Sequence, residues 1–413
     1  MPVTSAAGRR VMARLDELAI FSERPDMLTR LFLSPEHRRA ADQVQTWMRE
    51  AGMRAALDPA GNVAGRYEGH TEGLPALLLG SHIDTVRNAG KYDGNLGVVA
   101  AIEAVAALHH DGVHLPFAIE VIGFGDEEGV RFPVTLTGSK AVAGTFDPAA
   151  LDAVDADGIT MRDALIRFGC DPAAIAGVAR PRDKVLGYFE VHIEQGPVLE
   201  AENLPVGVVT AINGASRVTV AVTGQAGHAG TVPMDLRRDA LCAAAEMIIE
   251  AEHVGRETKE LVVTVGKLNV EPGATNVIPS GTNFTLDIRS PSDLVRRDAI
   301  ARMSDRFSEV ASRRRVGLTI TPTYAERAMT CDPAFMMLAS EAVARAGYRR
   351  LLLPSGAGHD GLAIAALCPI GMLFVRCAGG ISHNPAEAIT AADASVAVDV
   401  LIDFLRHFDP EVH

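Results

Sequence analysis

The chain has 413 residues, 48% of them hydrophobic, and its 39 Lys and Arg against 52 Asp and Glu give a formal net charge of −13. That length exceeds one ordinary domain, and the composition is that of a well-cored globular protein, not a disordered one. The acidity argues against nucleic acid or an anionic membrane as a partner, but not against a small anionic substrate, because a local pocket can be positive within an acidic chain.

Taken in order, the opening stretch from Met1 to Phe21 lacks a sustained apolar core and carries Arg9, Arg10, Arg14, Asp16 and Glu17, so no signal peptide is expected. The first clear helix is Pro35–Ala51. Ser34 caps it, Pro35 takes the first helical position, Gly52 ends it, and Val44, Trp47 and Met48 form its buried stripe. Ala55–Leu57 and Val63–Tyr67, either side of a Pro-Ala-Gly-Asn turn, form a hairpin. Ala76–Leu79 is an apolar run ending at Gly80, as expected of a strand buried on both faces. Leu96–Leu108 is helical, but is interrupted by Glu103 and too short to span a bilayer. Phe117–Phe124 is another buried strand, and this alternation predicts a three-layer α/β domain with a mixed central sheet.

Between residues 214 and 325 the texture changes. Arg217–Gly224 and Asn283–Arg289 alternate polar and apolar residues, as strands with one wet face do. Leu261–Leu268 and Gly317–Pro322 supply two further strands, and Asp239–Glu252 and Asp293–Arg313 two helices. The expectation is an inserted α+β domain over 214–325, a four-stranded antiparallel sheet with two helices. Residues 1–213 and 326–413 form one discontinuous catalytic domain, its later part comprising a helix at Asp332–Ala346, strands at Leu351–Leu353 and Gly371–Val375, and a closing helix at Ala391–His407. The five cysteines (Cys170, Cys242, Cys331, Cys368, Cys377) are scattered without CxxC spacing, which fits reduced thiols and a cytoplasmic location.

Chemistry-bearing side chains concentrate in Ser81-His82-Ile83-Asp84-Thr85, Lys91-Tyr92-Asp93-Gly94-Asn95, Gly125-Asp126-Glu127-Glu128-Gly129, Val191-His192-Ile193-Glu194-Gln195-Gly196 and Ile381-Ser382-His383-Asn384-Pro385. In an extended chain residues two apart point the same way, so the Asp84 carboxylate is expected to accept from the far nitrogen of His82 and fix its tautomer. Adjacent acids at Asp126–Glu128 repel unless a cation or proton intervenes. Imidazoles combined with carboxylates suit zinc, manganese, cobalt or nickel better than magnesium or calcium. Five ligands exceed one tetrahedral site, so two divalent ions sharing a carboxylate is the simplest arrangement.

The order His-x-Asp, Asp-Gly, Glu-Glu, His-Ile-Glu-Gln-Gly, Gly-His-Ala-Gly, Ser-His-Asn-Pro resembles the dinuclear aminoacylase and carboxypeptidase-G clan. Within it, His192-Ile-Glu-Gln-Gly, Gly227-His228-Ala-Gly-Thr-Val-Pro-Met234 and Gly380-Ile-Ser-His-Asn-Pro385 are most similar to the allantoate amidohydrolase, N-carbamoyl-L-amino-acid hydrolase and β-ureidopropionase branch. The resemblance implies His82 and His192 on one ion, Glu128 and His383 on the other, Asp93 bridging, and Glu127 as general base. It also implies that the inserted domain, 214–325, is the lid and dimerisation domain of a homodimer, with His228 supplied across it to stabilise the oxyanion, and substrate contacts at Gln195, Arg217, Asn276, Arg289, Gly358 and His359. Two guanidinium forks, Arg217 and Arg289, suit a substrate carboxylate. The sequence departs from the family pattern at Arg376-Cys377, where small or proline-containing pairs are the rule, and a basic residue there bears on substrate identity.

The expected activity is hydrolysis of a ureido or carbamoyl C–N bond in a small carboxylate. Allantoate comes first, N-carbamoyl-L-amino acids and N-carbamoyl-β-alanine next. A peptidase or aminoacylase ranks lower because His192 replaces the clan's more usual acid. A non-catalytic scaffold ranks last, since it should have lost Glu127 or several ligands. His37, His70, His109, His110, His114, His253, His407 and His413 read as ordinary surface or core residues, Glu194 as a structural hydrogen-bonding group, and Cys377 as packing. Gly123-x-Gly125 is not read as a dinucleotide site, because Asp126–Glu128 would repel phosphates.

Overall fold

Helix formation begins earlier than the hydrophobic pattern suggested. In the computed structural model, which describes residues 5–411, α1 (Ala6–Ala19) is capped by the Ser5 hydroxyl and buries Val11, Leu15 and Leu18 at helical spacing. Met1–Thr4, which open the stretch read above against a signal peptide, and His413 lie outside the described residues. Helix α2 (Pro35–Glu50) follows its sequence signals: Ser34 accepts from the His37 amide, and Val44, Trp47 and Met48 are buried. Then come β1 (Arg54–Leu57), β2 (Val63–Tyr67), β3 (Ala76–His82), α3 (Asn95–His110) and β4 (Ala118–Phe124).

Strand β3 does not stop at Gly80 as expected. A Cβ there would sit 2.1 Å from the Ile122 carbonyl, so the glycine serves a close approach of β4, and the strand runs on to His82. Helix α3 is buried nearly all round, and its one acid, Glu103, is matched by Arg10 (2.9 Å) and Arg14 (2.7 Å) of α1. After α4 (Thr137–Ala143), α5 (Met161–Phe168), β5 (Val185–Ile193) and α6 (Val198–Ala201), β6 (Val206–Ile212) leads out of this part of the chain.

The second stretch contains β7 (Gly214–Thr223), β8 (Gly227–His228), α7 (Ala240–Glu257), β9 (Val262–Glu271), β10 (Val277–Ile278), β11 (Gly281–Ser290), α8 (Asp293–Arg314), β12 (Gly317–Glu326) and β13 (Met329–Thr330). The chain closes with α9 (Pro333–Arg345), β14 (Leu352–Ser355), α10 (Gly361–Ile364), β15 (Ile370–Val375) and α11 (Ala391–His407). Contacts divide it into two units. One runs up to Thr210 and continues over Cys331–Leu353 and from Ala357 onward; the other is Ala211–Thr330 with Pro354–Gly356.

The larger unit is a three-layer α/β structure on a mixed sheet ordered β1-β2-β4-β3-β5-β15-β6. The central strands β4, β3, β5 and β15 are mutually parallel, whereas β1, β2 and β6 join antiparallel. Buried on both faces, the central strands are mostly apolar, interrupted by Glu120 in β4, Glu190 and His192 in β5 and Ser81-His82 at the end of β3. The smaller unit is an antiparallel sheet ordered β12-β7-β11-β9. Val218, Val220, Val222, Phe284, Leu286 and Ile288 on one face pack against Ala240, Met247, Val254, Ala299, Met303 and Phe307 of α7 and α8. Strands β9 and β12 outrun their expected ends at Leu268 and Pro322, because pairing with β11 and β7 continues past them; on β12 a register shift takes up the proline.

His37 is a core residue of α2, lying 5.6 Å from the Phe32 ring and 5.1 Å from Phe168, with Nδ1 accepting the Leu33 amide. Burial, with Arg30 and Arg131 nearby, pushes its pKa down to about 3. Below about pH 6.5 the unfolded chain gains a proton that the folded chain refuses, so this group removes stability as pH falls, by about 1.4 kcal/mol per pH unit. Between pH 7.5 and 5.5 wild type should lose about 1.4 kcal/mol more than His37→Asn in denaturant unfolding. Equal losses in the two proteins would contradict this assignment.

Candidate metal centre

The parallel strands β3, β4, β5 and β15 end on one edge of the sheet, and the chemistry-bearing residues sit at or just beyond those ends. His82 closes β3, Asp126–Glu128 follow β4, His192 is the penultimate residue of β5, and His383 follows β15. Ligand sites in open α/β sheets form beyond carboxyl ends for this reason. Asp93 arrives on the turn before α3. Gly94 there has φ +65°, and a Cβ would lie 2.5 Å from the His82 ring, so only glycine lets the turn lie against the imidazole.

Four side chains gather in two groups around Asp93. His82 Nε2 and His192 Nε2 lie 3.3 and 3.1 Å from Asp93 Oδ1. His383 Nε2 lies 3.4 Å from Asp93 Oδ2 and 3.5 Å from Glu128 Oε2. Each set, His82–Asp93–His192 and Asp93–Glu128–His383, has its donor atoms within 4.8 Å of one another. Both buried imidazoles are oriented by backbone: His82 Nδ1 donates to the Asp84 carbonyl (3.0 Å) and His192 Nδ1 to the Ile193 carbonyl (2.9 Å), which turns each Nε2 toward Asp93.

The electrostatics are those of a site built around positive charge. Burial pushes the carboxyl of Glu128 up to about 8, and burial together with Glu128, Asp360 and Asp84 pushes Glu127 well above its ordinary range. Burial opposes the charged form of His82, yet Asp93, Glu127, Asp84 and Glu128 hold its pKa well above normal; burial likewise opposes ionised Asp93, which His192 and His82 pull well below. Protons on imidazoles thus stand where a cation would. Donor separations of 3.1–3.5 Å also match the edge of a tetrahedron with bonds of about 2.0 Å, roughly 3.3 Å, typical of zinc bound by nitrogen and oxygen. The residues therefore fit a divalent metal.

The Asp84 expectation needs correcting. Its carboxylate lies 3.8 Å from His82 Nδ1, and it is the backbone carbonyl that takes the ring's proton. The strand ends at His82, so the side-chain alternation does not extend to Asp84. Its two oxygens instead accept the amides of Glu127 and Glu128, 3.3 Å each, fixing the turn that carries both acids. Asp126, third of the acid run, is fully buried at φ +68° and takes the Thr137 hydroxyl. Gln195 donates its amide to Asp93 Oδ2 at 2.7 Å and lies 3.2 Å from Ser382 Oγ, which itself donates to Asp93 Oδ2 at 2.6 Å. Glu194 accepts the amides of Val198 (2.7 Å) and Leu199 (2.8 Å), the structural role expected of it.

Sequence reasoning missed Glu387 and Glu190. Glu387 Oε1 accepts the amides of Tyr92 (2.8 Å) and Asp93 (3.1 Å), and Gly90 leaves room for it, since a Cβ there would lie 2.4 Å from its side chain. The only signal is its place four residues after His383. Glu190 accepts the Ser81 and Tyr188 hydroxyls (2.7 and 3.0 Å) beneath His192. His359 is buried, its ring 4.5 Å from that of His192, and a Cβ on Gly358 would lie 3.8 Å from Glu127 Oε1, so this loop borders the centre. Arg376 is occupied by Asp393, at 2.7 and 3.2 Å, at the start of α11, and Cys377 is buried with its thiol pushed up to about 11.

The remaining expected residues lie in the smaller unit. Arg217 and Arg289 share one face of its sheet and converge on Asp287: Arg217 Nε at 3.1 Å, Arg289 Nε at 2.7 Å. Arg289 also donates to the Gly356 carbonyl at 2.8 Å, and Arg217 lies over the Tyr324 ring. Exposed His228 in β8 pairs with Val277 of β10, and the Ala229 amide donates to the Asn276 carbonyl, which brings His228 and Asn276 to one ladder.

Comparison with known proteins agrees with the motif order. Residues 78–407 match the family described as Peptidase family M20/M25/M40. The chain is 44% identical over 395 residues to an N-carbamoyl-L-amino acid amidohydrolase of Geobacillus stearothermophilus, covering 95% of this chain and 97% of the relative. It is 40% identical over 427 residues to an allantoate deiminase of Arabidopsis thaliana, covering 96% and 81%. Among solved structures, an amidase of the hydantoinase/carbamoylase family from Burkholderia multivorans superposes with a TM-score of 0.90 at 33% identity, covering 96% of this chain and 97% of that one.

Asp84→Ala removes the acceptor for the Glu127 and Glu128 amides but keeps the carbonyl that orients His82. We expect turnover to fall roughly 10–100-fold while metal content, by elemental analysis, stays near wild type. Metal lost in proportion to activity would return Asp84 to the role the sequence suggested.

Proposed function

The chain belongs to peptidase family M20/M25/M40, and from that membership and the paired donor groups we propose that it hydrolyses the ureido C–N bond of a small carboxylate. Allantoate is the first candidate, and an N-carbamoyl-L-amino acid the second, favoured by the 44% identity to an enzyme of that name. The observation that carries this reading is the Asp93 carboxylate, whose two oxygens face two separate donor groups. The proposed cofactor is a pair of divalent ions per subunit, zinc, manganese, cobalt or nickel, with His82 and His192 holding one, Glu128 and His383 the other, and Asp93 both. Such a pair, when bound, polarises a carbonyl and makes hydroxide available at neutral pH.

The chain's own residues do the rest. Glu127 accepts the proton of the attacking water and delivers it to the nitrogen as the C–N bond breaks, so the amine leaves neutral. The turn held by Asp84 keeps its carboxylate in place for both transfers. Arg217 and Arg289 share the single charge of Asp287, so this face of the sheet retains one positive charge for a substrate carboxylate. His228, offered across a homodimer, donates to the developing oxyanion, and Asn276, Gly358 and His359 complete the substrate contacts. Gln195, with its amide on Asp93, serves the metal ligand as well as the substrate. No helix among the described residues is long and apolar enough to cross a membrane, and a cytoplasmic enzyme is the proposal.

Ammonia release should be measured on allantoate, N-carbamoyl-L-amino acids and N-carbamoyl-β-alanine. One of them should be turned over and activity should vanish on chelation; dipeptides or N-acetyl amino acids as the only substrates would overturn the reading. Glu127→Gln should retain metal yet lose turnover by at least about 10²-fold. Undiminished turnover in that variant would remove Glu127 as the base.

A further inference from the structure

Arg30 lies in the segment between α1 and α2 and is 0% exposed. No carboxylate lies within ion-pair distance of it among the described residues. Its guanidinium is spent entirely on oxygens that are not formally charged. Nε donates to the Ile83 carbonyl at 2.7 Å, Nη1 to the Leu18 and Phe21 carbonyls at 2.8 and 3.2 Å, and Nη2 to Asn95 Oδ1 at 2.6 Å. Its backbone is engaged too: Arg30 N–H donates to Thr85 Oγ1 at 2.9 Å, and the Thr85 amide donates to the Arg30 carbonyl at 3.0 Å.

These partners are not scattered. Ile83 and Thr85 bracket Asp84 in the segment that follows His82, while Asn95 directly follows Asp93-Gly94 and passes the tether on, its Nδ2 donating to the Asp93 carbonyl at 2.9 Å. One planar, five-donor group therefore joins the peptide after one metal donor to the turn that carries the other. Lysine could not do this, because its ammonium is a single point and cannot reach Ile83, Asn95 and the α1 carbonyls in one fixed geometry. A buried cation with no carboxylate in ion-pair contact, only Asp84 acting on it from farther away, is an expensive way merely to anchor a loop. An apolar side chain would fill the same space, so the position calls for an explanation beyond packing.

We propose that Arg30 is a positioning residue of the metal centre, fixing through Ile83 and Asn95 the separation of the His82 and Asp93 donors before any ion binds. This rests on the two-ion reading above. Its consequence is preorganisation: the donors do not have to be gathered at the moment of binding, so the benefit falls on metal affinity.

The test is metal binding by chelator-stripped protein, titrated with Zn(II) against a competing chelator and with Co(II) followed by its visible absorption. Wild type is compared with Arg30→Met, Arg30→Lys and Asn95→Ala, and with Met48→Ala as a destabilised control in the core of α2. Arg30→Met and Asn95→Ala should weaken the tighter site roughly 10–100-fold and alter the Co(II) band, with Arg30→Lys recovering little of the loss. Met48→Ala should lower the unfolding midpoint and leave affinity unchanged. If Arg30→Met and Asn95→Ala unfold at lower temperature but bind both ions as wild type does, Arg30 only anchors the chain and the inference fails. Should Arg30→Met not fold, Arg30→Lys and Asn95→Ala decide the matter together: weaker binding in both supports the inference, whereas weaker binding in Asn95→Ala with wild-type affinity in Arg30→Lys assigns the effect to the Asn95–Asp93 bond and overturns it. Wild type that takes up no pair of ions would remove the two-ion reading itself, and this inference with it.

Discussion

The structure turns on one carboxylate that must face two ways. Asp93 presents Oδ1 to His82 and His192 and Oδ2 to His383 and Glu128, and these partners arrive on four separate segments. Its own turn is held at three points: the amide of Asp93 by Glu387, its carbonyl by Asn95, and Oδ2 by Gln195 and Ser382. Gly94 in a left-handed conformation lets that turn rest on the His82 ring. A shift of any one of these segments moves an oxygen away from its donor group, so the parallel edge of the central sheet has to be complete before the centre exists.

The acids around it fall into two kinds, distinguished by what their oxygens accept. Asp84, Glu190, Glu194 and Glu387 each take two donors from the protein, and each thereby fixes a piece of backbone or a hydroxyl pair. Glu127 and Glu128 give their amides to Asp84, and the Glu128 carboxylate, which accepts the Val86 amide, also lies 3.5 Å from His383 Nε2. Hydrogen bonds from the protein stabilise an ionised buried carboxylate, whereas an acid lacking them calls for a cation. Burial, with Asp93 and Asp84 nearby, pushes the Glu128 carboxyl up to about 8, and burial pushes Glu387 up to about 7 in spite of its two amide donors. Three non-glycine residues near the centre, Asp126, Gln195 and His383, sit at positive φ, strain that a functional site tolerates.

The smaller unit answers a different requirement. Its sheet buries one face under α7 and α8 and leaves the other polar, and there Arg217 and Arg289 flank Asp287. An unshared pair of guanidinium groups would repel; a single intervening carboxylate lowers that repulsion and still leaves net positive charge.

The sequence alone determined what local rules can reach. Helix α2 was legible from its cap, its N-terminal proline and its apolar stripe, and central strands such as β3 and β4 from their predominantly apolar runs. The candidate metal donors were marked by imidazoles and acids recurring at strand ends in a recognisable order. Helix α1 was overlooked because its first residues were weighed only as a possible leader, although Val11, Leu15 and Leu18 carry a helical repeat. What only the tertiary structure decided are contacts between segments far apart in the chain. Glu387 reaches the Asp93 turn nearly three hundred residues away, Arg30 joins the peptides behind His82 and Asp93, and Asp84 turns its carboxylate from the imidazole to the Glu127–Glu128 amides. Periodicity and spacing report which face a residue occupies, but not which distant donor meets it there. That is fixed when the strands align and each buried polar atom has to find a partner.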